Sequence, residues 1–182
     1  MLLQLSNKGF EILEHYEGLK LKPYLCPSKK PTISLGVTIY PNGKHVTLKD
    51  KPLKDKNEAI VLAKSTLKQY ENAVIKATKG LVLNQDQFDA CVLFTYNAGV
   101  GAFNSSSILK KMKVNLKDKT IYGSFLAWDK IDSSHNNIDD DGDGLIDEVG
   151  EKDSVLGLLR RRNTEATLFL TGKVNFYTDL KL

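Results

Sequence analysis

Glu17, Cys26 and Thr32 stand nine and then six positions apart in the stretch EGLKLKPYLCPSKKPTISLGVT, which runs from Glu17 to Thr38. A carboxyl can give or take a proton, a thiol can orient water or attack carbon, and a hydroxyl can hold water. Pro23, Pro27 and Pro31 punctuate the segment and let the chain double back, so the three groups can surround one small cleft. That combination is what a hydrolase needs, with Glu17 as the acid. From position alone Glu17 is more simply a solvated glutamate at a helix end, and its neighbours carry the functional reading.

The elements that must position these residues follow from spacing and caps. Ser6 is a plausible N-cap, and Phe10, Ile12, Leu13 and Tyr16 form adjoining stripes of a first helix that Gly18 ends. Glu17 is thus at a helix C-terminus, where the dipole disfavours a carboxylate. Partial burial there would act in the same direction, the bias a general acid needs. Short strands are expected around Thr32 to Thr38 and Lys44 to Thr47, joined by a turn at Pro41-Asn42-Gly43 into a small antiparallel sheet. Asp55 and Glu58 have capping-box spacing, and Ile60, Ala63, Leu67, Tyr70, Val74 and Ala77 recur at three and four to about Lys79. Asn84 and Gln87 open a further helix that stops at Gly99-Val100-Gly101. Ser105 to Ser107 cap a short one ending near Lys113, and Thr120 to Asp129 supply another. Trp128 within it, the only tryptophan, reads as core. A last helix runs from about Ser154 to Leu170, stopped by Gly172.

The 22-residue stretch resembles the lysozymes of glycoside hydrolase family 24, the phage-type endolysins. Their signature is a Glu, eight residues, Asp or Cys, five residues, then Thr, and Glu17, Cys26 and Thr32 match every step. Ser34-Leu35 and Val37 replace residues that are often Gly, aromatic and His. The phrase from Asn84 to Lys111 is similar to the family's N-Q-x-x-x-D-A-L-x-x-F-x-F-N-x-G-x-G-x-F, and SVLGLLRRRNTEATLFLTG to its closing G-L-x-x-R-R-x-x-E-x-x-L-F-L-x-G. Within the second phrase Phe94, Tyr96 and Asn97 read as packing and turn residues, contact with sugar at the cleft edge being the alternative.

The resemblance implies an α+β fold, mainly helical: a small antiparallel sheet lobe (about 18–55) and a larger helical lobe (about 84–172) joined by a long helix (about 56–79). All 182 residues then form a single bilobed lysozyme domain. It implies a muramidase that cleaves the β-1,4 bond between N-acetylmuramic acid and N-acetylglucosamine in bacterial peptidoglycan and causes lysis, with no cofactor for catalysis. Glu17 would protonate the leaving oxygen, Cys26 and Thr32 would manage the attacking water, and an arginine of the last helix, Arg161, would buttress Glu17. The remaining arginines of that run would be surface charge. An ordinary thiol is mostly neutral at pH 7, so Cys26 either only positions water, with inversion, or attacks carbon, with retention. The rivals are a non-catalytic wall-binding or inhibitory module on the same fold, and lytic transglycosylation by the same acid.

At 182 residues, 41% hydrophobic and 26% charged, the composition is that of an ordinary soluble protein. No apolar run reaches the roughly 18 residues of a membrane span, so no stable membrane insertion is expected. MLLQLSNKGFE lacks the marks of a secretory signal, which points to synthesis in the cytoplasm and access to the wall after holin-dependent or other release. Cys26 and Cys91 are expected as reduced thiols, Cys91 in the core. The basic residues are scattered without an aromatic-basic reader motif, which argues against nucleic acid; a monomer is expected. Between Asp132 and Asp153 nine acidic residues and one lysine give a local net of −8, leaving a basic body of about +12 within the overall +4. That basic body suits an anionic wall polymer.

The acidic insert, 132–153, departs from the short polar loop usual in the family. Asp139, Asp141, Asp143, Gly144, Leu145, Ile146 and Asp147 fit positions 1, 3, 5, 6, 7, 8 and 9 of a Ca²⁺ loop, the Leu145 carbonyl being a ligand. Position 12 would be Gly150, and a frame from Asn137 puts Glu148 there, so the closing ligand would be Glu148 or Glu151. A structural Ca²⁺ is the functional reading, and a solvated acidic loop is its alternative.

Overall fold

The structure is a computed structural model that describes residues 3–26, 29–132 and 152–181. The Ser6 hydroxyl accepts from the Gly9 amide at 3.2 Å and starts α1 (Asn7–Glu17), whose Ile12 and Leu13 are buried. Gly18, at φ 66°, ends it in a conformation that costs a glycine nothing. The catalytic candidate is therefore the last helical residue, with the chain turning sharply after it.

The sheet differs from the expected one. β1 (Lys20–Leu25) pairs antiparallel with β2 (Pro31–Ser34), placing Tyr24 opposite Thr32 and Leu25 opposite Pro31. The expected strand from Thr32 to Thr38 stops at Ser34, because Ser34 (φ 57°) and Gly36 (φ 84°) leave the extended region. Ser34 keeps this uncommon conformation with its hydroxyl donating to the Ala59 carbonyl at 2.6 Å. The expected hairpin through Pro41-Asn42-Gly43 survives only as an isolated bridge between Ile39 and His45. Leu19 to Leu25 carries lysines at alternate places, which hid its strand character.

Asp55 accepts from the Glu58 amide at 2.9 Å and caps α2 (Lys56–Ala77). Glu58 bonds the Lys54 amide instead of that of Asp55, so only half of the expected capping box forms. The complete box is at α3 (Gln85–Ala98), where Asn84 accepts from the Gln87 amide at 2.9 Å and Gln87 accepts from the Asn84 amide at 3.1 Å. Gly99, at φ 96°, does not end the helical region as expected but separates α3 from a further helix, α4 (Val100–Ser105). α5 (Ser107–Val114), α6 (Ile121–Leu126) and α7 (Leu156–Thr171) follow. Before α7, β3 (Lys130–Asp132) pairs antiparallel with β4 (Lys152–Ser154), with Asp132 opposite Lys152.

α3 lies at the centre. Its Phe88 and Phe94 are buried, with Phe103 of α4, Phe125 of α6 and Phe169 of α7 in the same apolar cluster. Phe94 meets Phe125 edge-on at 5.7 Å and the half-buried Trp128 at 5.4 Å. Cys91 is fully buried and not in a disulfide, and burial pushes its thiol up. A second, small cluster of Ile33, Val37 and Val46 sits behind β2 against Leu62 of α2. Among the described residues no helix is long and apolar enough to cross a membrane.

Asp89 ties α1 to this centre. Fully buried, its carboxylate accepts from the Ser6 amide at 3.1 Å, from the Ser6 hydroxyl and from the Gln85 side chain at 2.7 Å. Burial pushes the carboxyl up, and the Ser6 and Gln85 bonds offset this only in part. The folded protein then holds the Asp89 proton more tightly than the unfolded chain does. Its contribution is fully present below the ordinary carboxylate range and is lost as pH rises through the raised native value. Asp89→Asn should flatten that loss in melting temperatures taken between about pH 4 and pH 7; an unchanged slope would refute the assignment.

Candidate active site

Glu17, Cys26 and Thr32 line one cleft of about 540 Å³, together with Tyr24, Gly36, Tyr70, Tyr96 and Asn97. α1 supplies the acid, β1 and its end the thiol, β2 the hydroxyl, and α2 and α3 the opposite wall. The Cys26 amide donates to the Lys30 carbonyl at 3.1 Å and its carbonyl accepts from the Lys29 amide at 2.8 Å, which fixes its backbone at the end of β1. Thr32 is buried, and its hydroxyl donates to the Lys30 carbonyl at 2.9 Å. The hydroxyl hydrogen is thereby used, and the oxygen lone pairs remain as acceptors for a water in the cleft.

Arg161 Nη1 donates to Glu17 Oε1 at 2.6 Å, the two side chains being 6% and 22% exposed. The other oxygen faces the turn after β2. A Cβ added to Gly36 would lie 3.3 Å from Glu17 Oε2 and 2.8 Å from the Tyr96 hydroxyl, and Gly36 has φ 84°, so both space and conformation demand glycine here. The Tyr96 hydroxyl in turn donates to the Leu35 carbonyl and joins the α3 wall to this turn. Burial first, and the Glu17 charge second, push the hydroxyls of Tyr24, Tyr70 and Tyr96 up. They therefore face the cleft as neutral groups.

Behind Glu17 lies a network that sequence reasoning missed in part. Glu165, with no exposed side-chain surface, accepts from Arg161 Nε at 3.1 Å through Oε1 and from Arg162 Nη1 through Oε2. Burial alone would pull Arg161 down, but Glu165 and then Glu17 beside it push it up overall. Burial pulls Arg162 down against the opposing pull of Glu165, with Arg161 adding to the lowering. The expectation that the arginines other than Arg161 are surface charge fails for Arg162, whose side chain is 1% exposed over the ring of Phe94 at 4.8 Å. The signal was present: Glu165 follows Arg161 by four positions and Arg162 by three, the helical spacings at which charges meet.

A sequence profile of the phage lysozyme family matches residues 14–165. The chain is 31% identical over 130 residues to the endolysin of Salmonella phage P22, covering 71% of this chain and 86% of that one.

The chain belongs to the phage lysozyme family.

An endolysin of Bacillus phage B103 is 28% identical over 171 residues, or 94% of this chain, but the chain spans only 56% of that relative's length. In three dimensions it is similar to the endolysin from Escherichia coli O157:H7 phage FAHEc1, with a TM-score of 0.77 at 27% identity over 95% of this chain and 97% of that one. That likeness to a phage lysozyme bears out the α+β reading: mainly helical, with a small antiparallel sheet.

Of the residues singled out in sequence, Phe94 is core, whereas Tyr96 and Asn97 face the cleft, where packing had been the favoured reading for all three. Asp139, Asp141, Asp143, Leu145, Asp147 and Glu148 lie outside the described residues, and β3 with β4 brings together the chain on either side of them. Among the described residues no cluster of three or more His, Cys, Asp or Glu side chains could hold a metal ion.

Glu165 pairs with two buried guanidiniums, and removing its charge leaves Arg161 with Glu17 alone and takes from Arg162 the carboxylate it is paired with. Glu165→Gln should destabilise the fold by about 3–5 kcal/mol in denaturant unfolding; a cost below about 1 kcal/mol would show that the network is not the buried support described.

Proposed function

We propose that this chain is a muramidase that hydrolyses the β-1,4 bond between N-acetylmuramic acid and N-acetylglucosamine in bacterial peptidoglycan. The observation that carries the reading is a glutamate held by a buried arginine at the edge of a cleft that also holds a thiol and a hydroxyl. Membership of the phage lysozyme family and the endolysin names of its relatives support the reaction class.

Glu17 delivers its proton to the leaving glycosidic oxygen. Arg161 takes Oε1 by a bond at 2.6 Å, which leaves Oε2, the oxygen toward Gly36, to face the substrate. A general acid must be fixed in direction to work, and a nearly buried, doubly anchored guanidinium does this better than a flexible lysine. As the bond to the leaving group breaks, positive charge develops on the sugar ring, and the attacking water adds to the anomeric carbon. Thr32, whose hydrogen is committed to the Lys30 carbonyl, accepts from that water. Cys26 stands beside it as the second positioning group. The free lone pairs of Thr32 favour direct attack by water over attack by the thiol.

Glu17→Gln should lower lysis of a peptidoglycan suspension by at least about a hundredfold while leaving wall binding intact. Unchanged lysis would end the assignment of the acid, and a wild type that binds but never clears the suspension would leave a wall-binding module instead. Direct attack by water also predicts inversion at the anomeric carbon, read by proton NMR of the first-formed product. Retention would overturn direct attack by water and require a covalent intermediate, formed with the Cys26 sulfur or with the acetamido oxygen of the substrate.

A further inference from the structure

The last turn of α1, residues 14–17, carries the acid but no buried residue. The core holds the turn before it, through Ile12 and Leu13, and Gly18 then leads the chain away. A helix end without buried side chains frays, so a rigidly placed acid needs its last turn held from elsewhere. Glu14 reaches α2 through a 2.6 Å pair with Lys56, which is exposed and contributes little. The other contacts lead to the segment after α7. The His15 ring stacks on Phe176 with centroids 3.9 Å apart and planes at 25°, and the Tyr16 ring meets Phe176 edge-on at 6.1 Å. The Tyr16 hydroxyl lies 2.6 Å from that of Thr164, which donates to the Asn175 carbonyl at 2.6 Å. With its hydrogen given to a carbonyl, the Thr164 oxygen accepts from Tyr16.

That segment is itself fixed to α7. Arg160 Nη2 donates to the Thr178 carbonyl at 2.6 Å and to the Leu180 carbonyl at 2.8 Å, and the Tyr177 hydroxyl lies 2.6 Å from that of Thr167. Asn175 Oδ1 accepts from the Tyr177 amide at 3.0 Å and closes a tight turn in which Tyr177 has φ 54°. α7 thus holds the Glu17 carboxylate through Arg161, and through Arg160, Thr164 and Thr167 it holds a strap that presses on the two residues before Glu17. Resting on the muramidase reading, we propose that Phe176 is a positioning residue for Glu17: stacked on His15, it holds the last turn of α1 at the angle from which Glu17 delivers its proton. Phe176 and His15 are not among the residues that line the cleft, so the pair acts on the acid and not on the glycan.

Phe176→Ala removes the ring and leaves Arg161, Glu17 and the cleft side chains in place. Assayed on peptidoglycan fragments well below its melting temperature, the variant should lower kcat about tenfold and leave KM unchanged, because the direction of the acid is disturbed and the binding of substrate is not. A merely structural role lowers the melting temperature without moving kcat of the folded enzyme. His15→Ala removes the other half of the stack from an exposed position and should lower kcat in the same way. If His15 acts through Phe176, the double variant falls no further than Phe176→Ala alone.

An unchanged kcat in folded Phe176→Ala overturns the proposal, and so does a rise in KM at constant kcat. A double variant whose loss is the product of the two single losses also overturns it, since the rings would then act independently. If Phe176→Ala does not fold, His15→Ala is read alone: a fall in kcat at constant KM bears the proposal out, and an unchanged kcat overturns it. Failure of the wild type to clear peptidoglycan would instead refute the muramidase reading on which this rests, so the two failures are told apart.

Discussion

The cleft depends on one buried carboxylate. Glu165 has no exposed side-chain surface and divides its two oxygens between Arg161 and Arg162. A buried ion pair of this kind gains little over an apolar substitute, because desolvation offsets most of the attraction. Its use lies in direction. Each arginine keeps further donors after binding Glu165, and each sends them to a different cleft residue: Arg161 to Glu17 and Arg162 to Asn97. The two glutamates and two arginines are formally neutral together, so the burial is tolerated while the outer ends stay fixed.

The opposite wall is fixed by the backbone. After Ser34 the chain leaves the extended region, and Gly36 brings the main chain against Glu17 Oε2, where a side chain would collide with the Tyr96 hydroxyl. Tyr96 closes the gap by donating to the Leu35 carbonyl. α3 thus meets both supports, since Tyr96 reaches the turn after β2 and Asn97 reaches Arg162. This explains why α3, with its aromatic packing against α4, α6 and α7, ends at the cleft. A rigid core transmits its precision to the last turn of α3, and the last turn positions the side chains.

Much of this was legible in the sequence because it rests on local rules. Ser6, Asn84 with Gln87, and Gly172 marked helix ends through capping chemistry that acts over three or four residues. Glu17, Cys26 and Thr32, singled out by their nine-and-six spacing, line one cleft. What escaped depended on partners distant in the chain. β1 escaped because Lys20, Lys22 and Pro23 give the segment little strand character of its own, and pairing with β2 makes it a strand. Arg162 and Asn97 are 65 positions apart, so neither one alone announces that a surface amide has a buried anchor. The close approach of Gly36 to Glu17 and to the Tyr96 hydroxyl joins residues 19 and 60 positions away from it, so no local pattern announces it.

The shared anchor links Glu17 and Asn97. If Glu17 and Asn97 were held by separate supports, a change at one would leave the other in place, and their effects would add. Here both run through Glu165, so a shift in either guanidinium is transmitted through the same two oxygens. Glu17, Arg161, Glu165, Arg162 and Asn97 form one hydrogen-bonded unit. The placement of Glu17 and of Asn97 is in this sense a single property of the buried charge network, set by the spacing of Arg161, Arg162 and Glu165 along one helix.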